Sequence, residues 1–131
     1  MGDESRIGGD GMSYSISLVD PVTKRVLEAD ETHFIRGGVY AIGGARELAI
    51  SITYNYAQHF YNVIDGEQGI RWLYGKTGAE TMPTLKNAIA ILANDANDDD
   101  YWDGTEGNAK RALCGLLAMA QMRPDGIWDG D

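Results

Sequence analysis

The chain has 131 residues, 20 Asp and Glu against 11 Lys and Arg, a formal net charge of -9 and a single cysteine. That length holds one domain with a real core and is short for two. The acidic balance disfavours non-specific binding to nucleic acid or anionic membrane, and one cysteine excludes an intrachain disulfide, which points to a reducing cytoplasm.

Residues 1–12 are polar, glycine-rich and without period, so they read as a disordered leader with Met12 as an alternative start. No charged-then-apolar leader precedes a cleavage site, so secretion finds no support. No window approaches the roughly 18 apolar residues of a membrane span. Residues 13–131 read as a single domain.

Ser13 to Val19 alternates Tyr14, Ile16 and Leu18 with serines, the pattern of a half-buried strand. Asp20-Pro21-Val22-Thr23 is a type I turn, after which Lys24 to Glu28 should return as a second strand. Gly37-Gly38 and Gly43-Gly44 bracket a short strand at Val39 to Ile42. Glu47 to Tyr54 alternates again, with Leu48, Ile50, Ile52 and Tyr54 directed inward. The period then becomes helical. Tyr56, Phe60, Val63 and Ile64 mark one helix, and Ile70, Leu73 and Tyr74 a shorter one stopped by Gly75. The next helix has Thr81 as its expected N-cap, Pro83 in its first turn, and Leu85, Ala88, Ile89 and Leu92 on its face. The last runs from about Thr105 to Met122 and is apolar over most of its girth, with Leu113, Leu116 and Leu117 central and Cys114 a buried small hydrophobe. A turn follows, and Trp128 folds back as an anchor. Strands first and helices after predict an α+β fold, a small, mostly antiparallel N-terminal sheet covered on one face by C-terminal helices.

Asn94 to Asn108 carries the sharpest chemical signal, five Asp and one Glu between two helices with a Trp in their midst. Asp95, Asn97, Asp99, Asp103 and Glu106 fall at positions 1, 3, 5, 9 and 12 of a calcium loop, with the Tyr101 carbonyl at position 7. Calcium takes roughly six to eight hard oxygens, which alternate residues of a tight loop can supply. Position 6 departs from the pattern, since Asp100 stands where the turn wants glycine. The competing reading is a solvated acidic loop whose Thr105 or Asp103 caps the last helix while Glu106 favours its dipole. The same carboxylates could hold magnesium for a metal-dependent hydrolase, but nothing elsewhere pairs with them as base or nucleophile.

A second constellation is Thr53, Asn55, Trp102, Thr105, Glu106 and Asn108. Thr53 and Asn55 end the strongest strand, and Trp102 to Asn108 opens the last helix. Their convergence would give a ligand-binding pocket at a helix start, suited to an anionic or planar ligand. The alternative is a polar cap network locking strand to helix. His33 and His59 have no metal-ligand spacing, and the paired glycines match no phosphate-binding pattern. The basic residues are too scattered for a nucleic-acid footprint.

Arg36 to Gly44, Ile52 to Tyr56, Tyr101-Trp102, Thr105 to Ala109 and the closing Pro124-Asp125-Gly126 with Trp128 resemble a family of small phage- and prophage-encoded proteins of unassigned function. The similarity covers Met12 onward. It implies an intracellular protein of a bacterium or its virus and supplies no activity and no catalytic residues. The expectation is therefore an acidic cytoplasmic protein, forming a homo-oligomer and acting by binding, in a host-directed accessory or anti-defence role. Its partner is a protein or small molecule, with no nucleic acid, no membrane and no cofactor unless the loop takes calcium.

Overall fold

The computed structural model describes residues 13–29, 39–41, 47–96, 99–100 and 102–131. The leader at 1–12, His33, the paired glycines at 37, 38, 43 and 44, and Asn97 and Tyr101 of the acidic loop lie outside the described residues.

Four strands, β1 (Ser13–Val19), β2 (Val39–Ala41), β3 (Ala49–Thr53) and β4 (Ile127–Gly130), form an antiparallel sheet in the order β2-β3-β1-β4. The helices are α1 (Ala57–Val63), α2 (Gly78–Ile91) and α3 (Glu106–Met122), with short 3-10 turns at Tyr54–Tyr56 and Gly69–Leu73. The fold is α+β. Register sets the layers. Tyr14 lies opposite Ile52, Ile16 opposite Ile50 and Leu18 opposite Trp128, and all six are buried. Because side chains alternate along a strand, these residues make one continuous apolar face. Phe60, Leu73, Leu85, Leu113, Leu116 and Met119 from the helical half pack in the same core. On the opposite face Ser15 pairs with Ser51; Ser15 is exposed and Ser51 half-buried.

Helix α3 follows the apolar period at Ala109, Ala112, Leu113, Leu116, Met119 and Ala120, all fully buried, while Leu117 is half-buried. Cys114 is exposed, not buried as expected. One residue is about 100° of helix, and that step carries the chain from the buried Leu113 out to solvent. Helix α2 begins one turn before the expected cap. Thr77 Oγ1 accepts from Glu80 N at 3.0 Å and Glu80 Oε1 accepts from Thr77 N at 2.9 Å, a reciprocal capping box. Thr81 is therefore inside the helix and Pro83 beyond the first turn. The missing N–H at Pro83 leaves the Ala79 carbonyl without its helical donor, which the exposure of Ala79 to solvent accommodates.

Lys24 to Glu28 does not form the expected second strand. The Asp20 turn is present, with the Asp20 carboxylate accepting from Val22 N and Thr23 N. Lys24 then takes a left-handed φ of 65°, and the segment meets two different neighbours through single bridges, Val26 to Val19 and Glu28 to Glu47. Leu27 is held in a ring of backbone bonds: Leu27 N to Leu18 O, Leu18 N to Leu48 O, and Leu48 N to Leu27 O, each 2.9–3.0 Å.

The tail does more than anchor. It supplies β4 beside β1, and its carbonyls meet the start of α2, where Gly78 N donates to Gly126 O at 2.8 Å and Ala79 N to Pro124 O at 3.0 Å. Helix starts leave such donors unpaired, so the tail satisfies them. Trp128 is buried, and its indole Nε1 donates to Thr81 Oγ1 at 2.7 Å. Among the described residues no helix is long and apolar enough to cross a membrane.

Candidate binding site at the acidic loop

Strand β3 ends in a turn that its own last residue caps. Thr53 is buried, and its Oγ1 accepts from Asn55 N at 3.2 Å, bending the chain out of the sheet into the Tyr54–Tyr56 turn. Asn55 is left at the surface, and Asn55 Nδ2 donates to the Trp102 carbonyl at 2.7 Å. Four residues on, in α1, His59 Nε2 is 2.7 Å from the Gly104 carbonyl. A carbonyl only accepts, so Nε2 carries the proton in this bond.

The first turn of α3 grips the same loop. Thr105 is the N-cap, its Oγ1 accepting from Asn108 N at 3.1 Å. Asn108 is fully buried, and its Nδ2 donates to the Asp100 carbonyl at 3.1 Å and the Asp103 carbonyl at 2.9 Å. Within the loop, Asp103 N bonds Asp100 O, and Trp102 N donates to Asp100 Oδ1 at 3.0 Å. Two glycines permit the close fit. A side chain at Gly104 would come within 2.7 Å of the Asn55 carbonyl, and one at Gly107 would run into the backbone of Ala96.

Electrostatics tie the loop to the core. Tyr56 is fully buried, and burial first, then the charges of Asp100 and Asp103, push its hydroxyl pKa up to about 12 against the opposing pull of Arg111. The Tyr56 hydroxyl is therefore neutral at physiological pH.

The sequence-selected residues do converge. Asn55, Trp102, Thr105 and Asn108 share one hydrogen-bonded junction, with Thr53 holding Asn55 in place. The Asn55 and Asn108 amides are turned to the loop's own carbonyls, and what the junction presents to solvent is Trp102, 40% exposed, with Asp99, Asp100 and Asp103 beside it in sequence and also exposed. The candidate calcium ligands divide in the same way. Asp95 Oδ1 accepts from Gly107 N at 2.8 Å and Glu106 Oε1 accepts from Ala93 N at 3.2 Å. These two carboxylates close the α2–α3 connection by satisfying backbone donors. Among the described residues no group of three or more His, Cys, Asp or Glu side chains converges as a metal site.

His59 and Lys110 are the partners that sequence reasoning left out. Lys110 Nζ bonds Asn94 Oδ1 at 2.7 Å, tying α3 to the start of the loop. His59 was readable in part, because it lies four residues from Asn55 across a helical turn and so reaches the same side. Comparison with protein-family models, curated proteins and solved structures finds no match for the chain.

Proposed function

We propose that the protein acts by binding, with Asp99, Asp100 and residues 102–105 as the contact epitope for a basic partner surface and Trp102 as its anchor. The observation that carries this reading is the pinning of an exposed Trp loop by three side chains from ordered elements, Asn55, His59 and Asn108. Ordering a loop on binding costs entropy, and a loop already held avoids that cost. Tryptophan is enriched among residues that dominate binding energy, and flanking carboxylates steer a basic partner and speed its approach. Thr53, Thr105 and Glu106 shape the epitope from behind. The bonds of Asp95 and Glu106 to backbone donors favour this reading over the calcium-binding and hydrolase ones.

The resemblance to small phage proteins supports a partner in a bacterial host and a cytoplasmic accessory or anti-defence role. The serine face of the sheet, opposite the helices, offers a surface for a homo-oligomer. Affinity capture from bacterial lysate followed by native mass spectrometry tests the reading. The comparison is between the unaltered chain, Trp102→Ala, and the charge-neutral Asp99→Asn/Asp100→Asn/Asp103→Asn. Trp102→Ala keeps the backbone groups that Asn55 and Asp100 engage, so the loop stays held. A species retained at low salt, lost at high salt and lost in both variants is the expected result. Retention that is unchanged across the three proteins contradicts it.

A further inference from the structure

Strand β1 has two unlike ends. At its Ser13 end, Thr53 lies opposite and leads to Asn55, which holds the Trp102 loop. At its Val19 end the chain enters the turn Pro21-Val22-Thr23-Lys24-Arg25-Val26. At about 3.3 Å per residue, the length of β1 sets the two about 20 Å apart. Their charges are opposite. Beside Trp102 stand Asp99, Asp100 and Asp103, all exposed. Residues 21–26 carry Lys24 and Arg25 and no acid, in a chain whose net charge is -9. All six are exposed, and among the described residues neither cation makes an ion pair or a side-chain hydrogen bond. Asp20 is turned back on the Val22 and Thr23 amides, and Asp125, whose charge reaches Asp20, is paired with Arg123.

The exposed apolar surface divides between the same two places. Of the five large hydrophobic side chains exposed among the described residues, Val22 at 86% and Val26 at 38% lie on the turn and Trp102 on the loop. The turn is also preformed and strained. Asp20 N donates to Arg25 O at 2.8 Å and Lys24 N to Asp20 O at 2.9 Å, closing it without help from other elements. Lys24 has a φ of 65°, where Gly or Asn sits with less strain. Strained residues cluster at sites that bind or switch, and this one carries an exposed cation.

We propose that the basic surface recognised by the Trp102 loop belongs to a second copy of this chain, the turn at 21–26 of one copy docking on the loop of the next. This rests on the reading of the loop as a binding epitope. Trp102 packs on Val22 and Val26 of the neighbour, while Lys24 and Arg25 meet the carboxylates; a guanidinium also stacks on an indole face. The two surfaces are unlike and lie at opposite ends of β1, so a copy can use both at once, and the contact is head to tail. Two copies at -9 each repel at long range. The contact therefore forms where salt screens the distant charges and leaves the touching ones in force.

Sedimentation velocity of the whole chain tests this at about 0.15 M salt, where charges act over about 8 Å, and at about 1 M, where they act over about 3 Å. Lys24→Asn/Arg25→Gln removes the cations of the turn, and Asn suits the left-handed backbone, so the turn stays formed. Trp102→Ala removes the anchor of the loop. The unaltered chain should self-associate at the lower salt and dissociate at the higher. Each variant alone should associate at least about tenfold more weakly. An equal mixture of the two should form a heterodimer, since one keeps the loop and the other the turn. If Trp102→Ala does not fold, the turn variant, altered only at exposed side chains, decides. A monomer at both salts overturns the proposal alone, and leaves a basic protein captured from lysate as the occupant of the loop. Self-association that Trp102→Ala leaves unchanged overturns it together with the loop epitope. Association untouched by the turn variant, as an interface on the serine face would show, overturns it too.

Discussion

Asn108 shows how much one buried amide can fix. Its Nδ2 serves two loop carbonyls while its own N–H is capped by Thr105. Asn108→Ala removes both loop bonds and leaves the Asp100 carbonyl with Asp103 N, and the Asp103 carbonyl with Thr105 N, as backbone donors. A loss of about 1–3 kcal/mol in urea denaturation is expected, the net worth of two hydrogen bonds. A midpoint unchanged from the parent would mean that the loop is held elsewhere. Asn108 was legible in the sequence as a residue at a loop-to-helix junction, and its burial was not. The same letters would serve a solvent-facing ligand amide or an inward-facing clamp, and only the approach of the Asp100 and Asp103 carbonyls decides. Cys114 failed for a related reason. An apolar side chain on an apolar helix gives no local sign of which arc faces out.

At the scale of elements, periodicity did well where segments were long. The α3 face from Ala109 to Ala120 and the β1–β3 pairing of Ile16 with Ile50 both follow from spacing alone. Leu116 is fully buried in that face. Leu116→Ala should cost about 2–5 kcal/mol, the transfer term plus the cavity. A loss under about 0.5 kcal/mol by the same denaturation assay, far below the range for such a deletion, would mean that α3 is not in the core. Short elements were harder. Strand β4 spans Ile127–Gly130 with one buried residue, Trp128, too little alternation to read as a strand. Its partners, β1 and the start of α2, are remote in sequence, so pairing was invisible. The start of α2 was available and missed: Thr77-Gly78-Ala79-Glu80 has capping-box spacing, but Thr81-Met82-Pro83 offered a competing signal.

For the whole molecule, charge governs behaviour at both ends of the pH scale. Asp20, Glu80 and Asp125 have pKa values held below their ordinary 3.8, 4.5 and 3.8. The causes are backbone N–H bonds from Thr23 and Val22 at Asp20, the Thr77 N–H at Glu80, and the Arg123 guanidinium at Asp125. Depressed carboxylate values stabilise the fold fully above the unfolded values, and that contribution is lost as pH falls through the folded ones. Thermal stability should therefore fall below about pH 4, where the unfolded carboxylates begin to hold protons. These groups are exposed, so added salt flattens the acid limb. Tyr56 acts at the other end. Its value is raised by burial to about 12, so its contribution is intact below the unfolded value of 10 and is lost as pH rises toward 12. Tyrosinate absorbance should show this late class ionising only as the fold opens. A single ionisation centred on the ordinary value would place Tyr56 in solvent. The α+β class was legible at this scale because strands precede helices. The pinned loop behind the proposed binding role was not legible, since it depends on contacts of Asn55, His59 and Asn108 that no local spacing encodes.

The rigidity of the Trp102 loop decides whether it is a prepared epitope. Backbone amide relaxation by nuclear magnetic resonance reads it at Trp102 and Gly104, the residues whose carbonyls Asn55 and His59 engage. Order parameters of about 0.85, level with those of α3, are the expected result. Values below about 0.6, the range of flexible chain, would show an unheld loop and contradict the proposed mode of binding.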